Sequence, residues 1–292
     1  LPALESGGVE RGTLEIAQAL IGHGHRALVM SAGGRLVAPL QTLGAEHFAW
    51  PIGRKSLRTF FLVKRLRQFL TEQKIDIIHA RSRVPAWIAW LAWRKMNPAT
   101  RPHFVTTVHG LYGVNRYSRI MAQGERVIAV SNTVRDYILK AWPETLPWRI
   151  TVIPRGVDER AYPHGYQPDT AWKQHFFEAF PAASGKMILS LPGRITRLKG
   201  HEDFIEIVRR LKKRGLPVYG LIAGGAAASK QRYLQKLRYR VRSSGLERDI
   251  GFTGQRDDLK NILAISSLVL SLSTQPESFG RTTLEALRLG VP

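Results

Sequence analysis

Residues 187–223 read MILSLPGRITRLKGHEDFIEIVRRLKKRGLPVYGLIA. Within this stretch a short apolar run at 187–191, an amphipathic segment at 201–214 and a second apolar run at 218–223 follow one another. That order predicts strand, helix, strand, the unit from which parallel α/β domains are built. The same alternation extends both ways. Downstream it predicts a helix over 230–243, a strand over 250–253, a short helix from Asp257, a strand over 268–272 and a helix from Arg281. Upstream it predicts strands at 27–31, 75–80, 104–109, 126–130 and 150–154, and helices at 10–21, 57–72, 85–95 and 134–141. Segment 155–168, rich in Pro and Gly, reads as a linker. The expected fold class is therefore α/β, with two parallel-sheet domains at 1–165 and 166–292.

Both ends read as cut. Leu1-Pro2-Ala3 stands directly before a Gly-Gly turn and a helix, and Gly290-Val291-Pro292 stands where a new strand is due, so an incomplete second domain is expected.

The 292 residues are enough for two domains with cores of their own. No cysteine is present, which removes disulfides, thiolate metal sites and thiol nucleophiles, and fits a reducing cytosol. The longest apolar run, 84–93, is about half of a membrane span. The unusual bulk property is a net charge of +22, spread over both halves of the chain. Such a field favours anionic partners: nucleotides, nucleic acid or an acidic membrane surface. A nucleic-acid binder would also need clustered cations interleaved with exposed aromatics and a binding motif. No such motif appears, so no nucleic-acid partner is expected.

Chemistry-bearing residues gather where strands end. In open α/β sheets ligands sit outside the carboxyl ends of the strands. Arg194 and Lys199, flanked by Gly193 and Gly200, follow the strand at 187–191 and suit a diphosphate. Ala223-Gly224-Gly225 follows the next strand and permits close backbone approach. After the strand at 268–272 comes PESFGRTTLEALRLG (276–290), in which Glu277 and Glu285 flank a glycine-bearing loop and a helix start. A helix N-terminus offers bare N–H groups and positive potential to an anion. The plainer reading of Thr282-x-x-Glu285 is a capping box, with Gly290 and Pro292 as the helix stop. In the first half, Ser6-Gly7-Gly8-Val9-Glu10 precedes a helix, and His109-Gly110 closes the strand FVTTVHG.

Taken together, GGVE, TVHG, AVS, RGVD, GRITRLKG, AGG, FTG and PESFGRTTLEALRLG resemble a family 4 retaining glycosyltransferase of the GT-B fold, two Rossmann-like domains whose parallel sheets face a central cleft. The resemblance spans nearly the whole chain. It implies a first domain on the acceptor side and a second that holds a nucleotide-diphosphate sugar, a UDP- or GDP-sugar. Arg194 and Lys199 would bind the donor diphosphate and offset charge on the leaving group. Glu277 would contact donor-sugar hydroxyls, with backbone N–H groups of Phe279 and Gly280 beside it. Backbone N–H groups of Arg281 and Thr282 would meet the phosphates, and Glu285 the nucleotide ribose. Gly224 would line the donor site, His109 would lie near the donor sugar, and Gly8 would close over the phosphates. The family pattern has Asn where Arg155 stands, so a contact there is expected to differ. By the same resemblance the reaction retains anomeric configuration and needs no metal or cofactor.

For the acceptor, the sequence offers a basic amphipathic stretch at 57–70 and Trp87, Trp90 and Trp93 at spacings of three. Ordinary domain helices explain both. They are also compatible with a lipid-linked acceptor at an anionic inner leaflet. HARSRVPAWIAWLAW resembles bacterial envelope-polysaccharide enzymes of the family. The expected function is sugar transfer to an envelope glycan or lipid-linked acceptor in lipopolysaccharide or exopolysaccharide assembly. The expected place is the cytoplasm, peripheral on the inner face of the membrane. A non-catalytic nucleotide-binding relative and a nucleotide-sugar epimerase of the same fold are the alternatives.

Overall fold

The structure is a computed structural model that describes residues 1–5 and 7–292, with Leu57 described through its backbone alone. Ser6 of the SGGVE stretch lies outside the described residues. The chain divides into two compact units, Leu1–Arg155 and Gly156–Pro292.

In the first unit α1 (Gly8–Gly22) leads to β1 (Leu28–Ser31), and α2 (Val37–Thr42) to β2 (Glu46–Ala49). These two strands pair in parallel, Leu28 opposite Glu46. Then follow α3 (Leu62–Glu72), β3 (Ile77–Ala80), α4 (Arg83–Arg94), β4 (His103–Val108), β5 (Arg126–Ala129), α5 (Asn132–Ala141) and β6 (Ile150–Val152). The last four strands form one sheet in the order β3-β4-β5-β6, every pair parallel. Neither α2 nor β2 is foreshadowed by the pattern of apolar runs. α2 is a six-residue helix with Pro39 in its first turn, and β2 reads EHFA, with no buried position. The expected helix over 57–72 begins instead as a 3-10 turn, Leu57–Phe61, before α3 proper.

The tryptophans of α4 pack within this unit. Buried Trp93 donates Nε1–H to the Pro102 carbonyl at 2.8 Å, with the Arg101 guanidinium 3.4 Å above its ring. Trp87 donates to the Tyr117 carbonyl at 3.0 Å and meets Trp90 edge-on at 5.5 Å. Two of the stripe's three indoles thus bond inside the unit, as the plainer reading of ordinary domain helices expects. The exposed aromatics of this unit among the described residues include Phe60, Phe61 and Trp148, at 52%, 82% and 62%.

The second unit contains α6 (Thr170–Ala179), β7 (Met187–Pro192), α7 (His201–Lys213), β8 (Val218–Ala223), α8 (Gln231–Ser243), β9 (Ile250–Phe252), α9 (Leu259–Ala264), β10 (Leu268–Val269) and α10 (Arg281–Leu289). Its sheet has the order β10-β7-β8-β9, all parallel. β8 is buried along its whole length and its side chains alternate between two cores. Val218 and Ile222 join Phe204, Ile205 and Val208 of α7 and Leu237 of α8. Tyr219, Leu221 and Ala223 join Phe176 of α6 and Ile262 of α9. Gly220 allows α7 this close, since a Cβ there would stand 2.8 Å from Val208 and 3.1 Å from Phe204. Phe204 is fully buried, and its removal would cost about 3–5 kcal/mol.

Of segment 155–168, expected as a linker, residues 156–168 are folded onto the second unit. Gly165 N–H bonds the Leu289 carbonyl at 3.0 Å, the Tyr166 hydroxyl bonds Asn261 Oδ1 at 2.8 Å, and Tyr162 and Tyr166 pack on the apolar faces of α9 and α10. The division between units accordingly falls at 155/156 rather than 165/166. α6, unforeseen, is capped by Asp169, whose Oδ1 accepts from Trp172 N–H at 2.7 Å.

Candidate active site

In the second unit three loops leave the carboxyl ends of β7, β8 and β10, and hydrogen bonds tie each to a neighbour. Gly193 N–H bonds the Ala223 carbonyl at 2.9 Å, Ile195 N–H the Gly225 carbonyl at 3.0 Å, and Thr274 N–H the Leu198 carbonyl at 2.9 Å. Two glycines make that approach possible. A Cβ on Gly224 would fall 1.9 Å from the Gly193 carbonyl oxygen, and one on Gly200 would fall 2.1 Å from the Leu272 carbonyl oxygen. Gly200 also has φ of 66°, the left-handed region that L side chains avoid.

This backbone brings Lys199 to Glu277. Lys199 Nζ–H and Ser273 Oγ–H both donate to Oε1 of Glu277. Burial alone would push the Glu277 carboxyl up; the hydrogen bonds from Lys199 and Ser273 outweigh it, and the carboxyl lies below its ordinary value. The pair is about one-third exposed, so it faces a place a ligand can reach. Arg194 is exposed on the same loop as Lys199.

The turn after Glu277 ends at Gly280, with φ of 79°, which caps α10. No side chain caps this N-terminus. The capping box expected from Thr282 and Glu285 is therefore not formed. The helix starts at Arg281, one residue before Thr282, and Glu285 accepts instead from Arg281 Nε at 3.0 Å, one turn away. Glu285 is 3% exposed, a carboxylate held in the helix flank by that pair. The stop at Gly290 is present, with φ of 87°. Phe279, Gly280, Arg281 and Thr282 are half-buried around this helix start.

In the first unit His109 follows β4. Its Nδ1 lies 2.6 Å from Arg155 Nη2, its backbone N–H bonds the Tyr112 hydroxyl at 3.2 Å, and its Nε2 is buried without a partner. Burial, then the charges of Arg81 and Arg155, hold its pKa down to about 2. Gly8 opens α1, and a Cβ there would meet nothing within 4 Å. The start of this helix is served by its own Glu10, whose Oε2 accepts from Gly7 N–H at 2.7 Å and Glu5 N–H at 2.9 Å.

Ser273, Arg81 and Tyr112 were not singled out in the sequence. Ser273 had a signal, a hydroxyl one helical turn's spacing before Glu277 in SLSTQPE. Arg81 had only its position after a strand.

The model of Glycosyltransferase Family 4 matches residues 6–161, and that of Glycosyl transferases group 1 matches residues 173–292. The chain belongs to Glycosyltransferase Family 4, and its two parallel-sheet units have the GT-B fold. Among solved structures, a glycosyltransferase from Rickettsia africae ESF-5 is 29% identical over 99% of this chain and 76% of its own, with a TM-score of 0.85. HepE from Anabaena, solved in complex with UDP-glucose, is 21% identical over 100% of this chain and 78% of its own, with a TM-score of 0.81. WaaG, a glycosyltransferase involved in lipopolysaccharide biosynthesis, is 17% identical over 100% of this chain and 77% of its own, with a TM-score of 0.70. A comparison with curated protein sequences gives no match.

Proposed function

We propose that this glycosyltransferase moves a sugar from a nucleotide-diphosphate donor, a UDP- or GDP-sugar, to a glycan or lipid-linked acceptor of the cell envelope, with retention and without a metal. The observation that carries the donor reading is the meeting of Lys199 and Glu277 beside the uncapped start of α10. A leaving nucleoside diphosphate gains negative charge as the glycosidic bond breaks. Cations and N–H groups already in place lower that barrier without reorganising. Lys199 and Arg194 supply the charge, and the N–H groups from Phe279 to Thr282 the dipole. Glu277 is kept ionised to accept hydroxyls of the donor sugar. Glu285 serves the ribose.

HepE was solved with UDP-glucose and WaaG takes part in lipopolysaccharide biosynthesis, which supports a nucleotide sugar and an envelope acceptor here. No helix among the described residues is long and apolar enough to cross a membrane. Phe60 and Phe61 are exposed in a stretch that also carries exposed Arg58, Lys64 and Arg65, which suits contact with an anionic inner leaflet. The decisive experiment screens the full chain against UDP-, GDP- and ADP-sugars for binding and for slow donor hydrolysis. Saturable binding of one class, lost in Lys199→Ala, supports the reading; no binding to any sinks it.

A further inference from the structure

Resting on the donor reading, we infer that His201 is a positioning residue: its Nδ1–H holds the turn Arg197–Lys199 so that the Lys199 ammonium stays on Glu277 and in place for a diphosphate. His201 opens α7 and is fully buried. Its ring reaches back five residues, and Nδ1 lies 3.1 Å from the Thr196 carbonyl oxygen. A carbonyl only accepts, so Nδ1 carries the proton and Nε2 keeps a bare lone pair. That Nε2 is buried with no hydrogen-bond partner. Burial lowers the imidazole pKa from its ordinary value, with the Thr196 bond opposing and the Lys199 charge assisting, so the ring is neutral at pH 7.

An imidazole is a costly filler for this place. A bare acceptor shut away from water works against the fold, and an apolar ring would occupy the space without that cost. The Thr196 carbonyl does not depend on the ring, because it also accepts Lys199 N–H at 3.2 Å. The edge-on contact with Tyr233, 6.3 Å between centroids, is one that a phenyl ring would make as well. What the imidazole alone supplies is a side-chain tie across the turn.

That tie has a firm anchor. α7 is fixed in the core by Phe204, Ile205 and Val208, so a bond from its first residue passes their rigidity to the turn before it. The bond spans Lys199, whose Nζ donates to Glu277. On its other side the turn is tied to the loop after β10, where Thr274 N–H meets the Leu198 carbonyl at 2.9 Å. Lys199 is thus held between a helix in the core and the loop that carries its partner.

The test compares two variants of the full chain. His201→Phe keeps a ring and drops both nitrogens; His201→Asn keeps an N–H on the same carbon and leaves a gap beyond it. Thermal melting should place His201→Phe at or above the wild type and His201→Asn below it. Function should run in the opposite order. In His201→Phe the Glu277 carboxyl, followed by NMR titration, should move up towards the ordinary carboxylate value. Hydrolysis of UDP-glucose or GDP-mannose should fall about tenfold in kcat, with donor KM little changed. In His201→Asn both should stay close to the wild type. Added to Lys199→Ala, His201→Phe should cost nothing more, because its effect passes through that lysine. If His201→Asn does not fold, the Phe variant and the double variant decide. Turnover that follows melting temperature, or a further loss in the double variant, overturns the inference. If the wild type neither binds nor hydrolyses either donor, the donor reading falls, and the Glu277 titration still decides whether His201 places Lys199. A titration that His201→Phe leaves unmoved, beside intact donor hydrolysis, fells the positioning role alone.

Discussion

Arg155 Nη2 lies 2.6 Å from Nδ1 of His109. A guanidinium has donors and no acceptor, so Nδ1 must accept and the imidazole proton resides on Nε2. With its pKa held to about 2 by burial and by Arg81 and Arg155, His109 is a neutral donor. It can bond a hydroxyl through Nε2, and it does not exchange protons near neutrality. Imidazole resonances followed by NMR should show no titration of His109 between pH 5 and 8. Arg155→Ala should move its pKa upward, and His109→Ala should lower kcat by about 10²-fold without shifting the pH profile of the rate.

The same burial couples stability to pH. His79 and His109 have folded pKa values of about 3 and about 2, both below the ordinary 6.5. Below pH 6.5 the unfolded chain therefore binds protons that the folded chain refuses, and stability falls as pH drops towards those values. Each histidine contributes a slope of at most about 1.4 kcal/mol per pH unit. Urea unfolding at pH 7, 6 and 5 should show the decline, and His109→Gln should flatten it.

Lys199→Ala takes away a donor to Glu277 and, on the proposed donor reading, a cation for the diphosphate. Turnover should fall by about 10²–10³-fold. Because the hydrogen bonds that hold the Glu277 carboxyl down are then reduced to that of Ser273, its pKa should rise. Circular dichroism melting should place the variant within a few degrees of the wild type. Near-normal turnover would contradict the role given to this pair.

Gly224→Ala and Gly200→Ala should destabilise the second unit by at least ~2 kcal/mol each, since the new Cβ would overlap a carbonyl oxygen in both. Gly8→Ala, whose Cβ meets nothing within 4 Å, should leave stability nearly unchanged. Thermal melts of the three variants check the contrast.

Phe60→Ser with Phe61→Ser should reduce sedimentation with anionic liposomes severalfold at low salt while sparing donor hydrolysis. Equal sedimentation of variant and wild type would place any membrane contact elsewhere.

Strands whose side chains are apolar on both faces, such as β8, were legible because burial on two sides demands continuous runs. β2 was not, as a strand carrying Glu46 and His47 on a two-stranded sheet has no such demand. α6 was overlooked although Asp169 before Trp172, Phe176 and Phe180 gives both a cap and a helical spacing. In the site, glycines and charges at strand ends were readable because the parallel fold forces ligands there. The partners of those charges were not. Whether Glu285 caps its helix or pairs with Arg281 depends on where the helix starts, and that is decided by the left-handed turn at Gly280.

The three loops of the second unit are bonded to one another at Gly193, Ile195 and Thr274, with no room for a side chain at Gly224 or Gly200. They form a single stiff frame. Grafting the loop after β7 from a relative with another sugar preference would break its seams to both of the others. If the proposed donor site holds, re-engineering its sugar choice means exchanging all three together, or changing only side chains that point away from the seams.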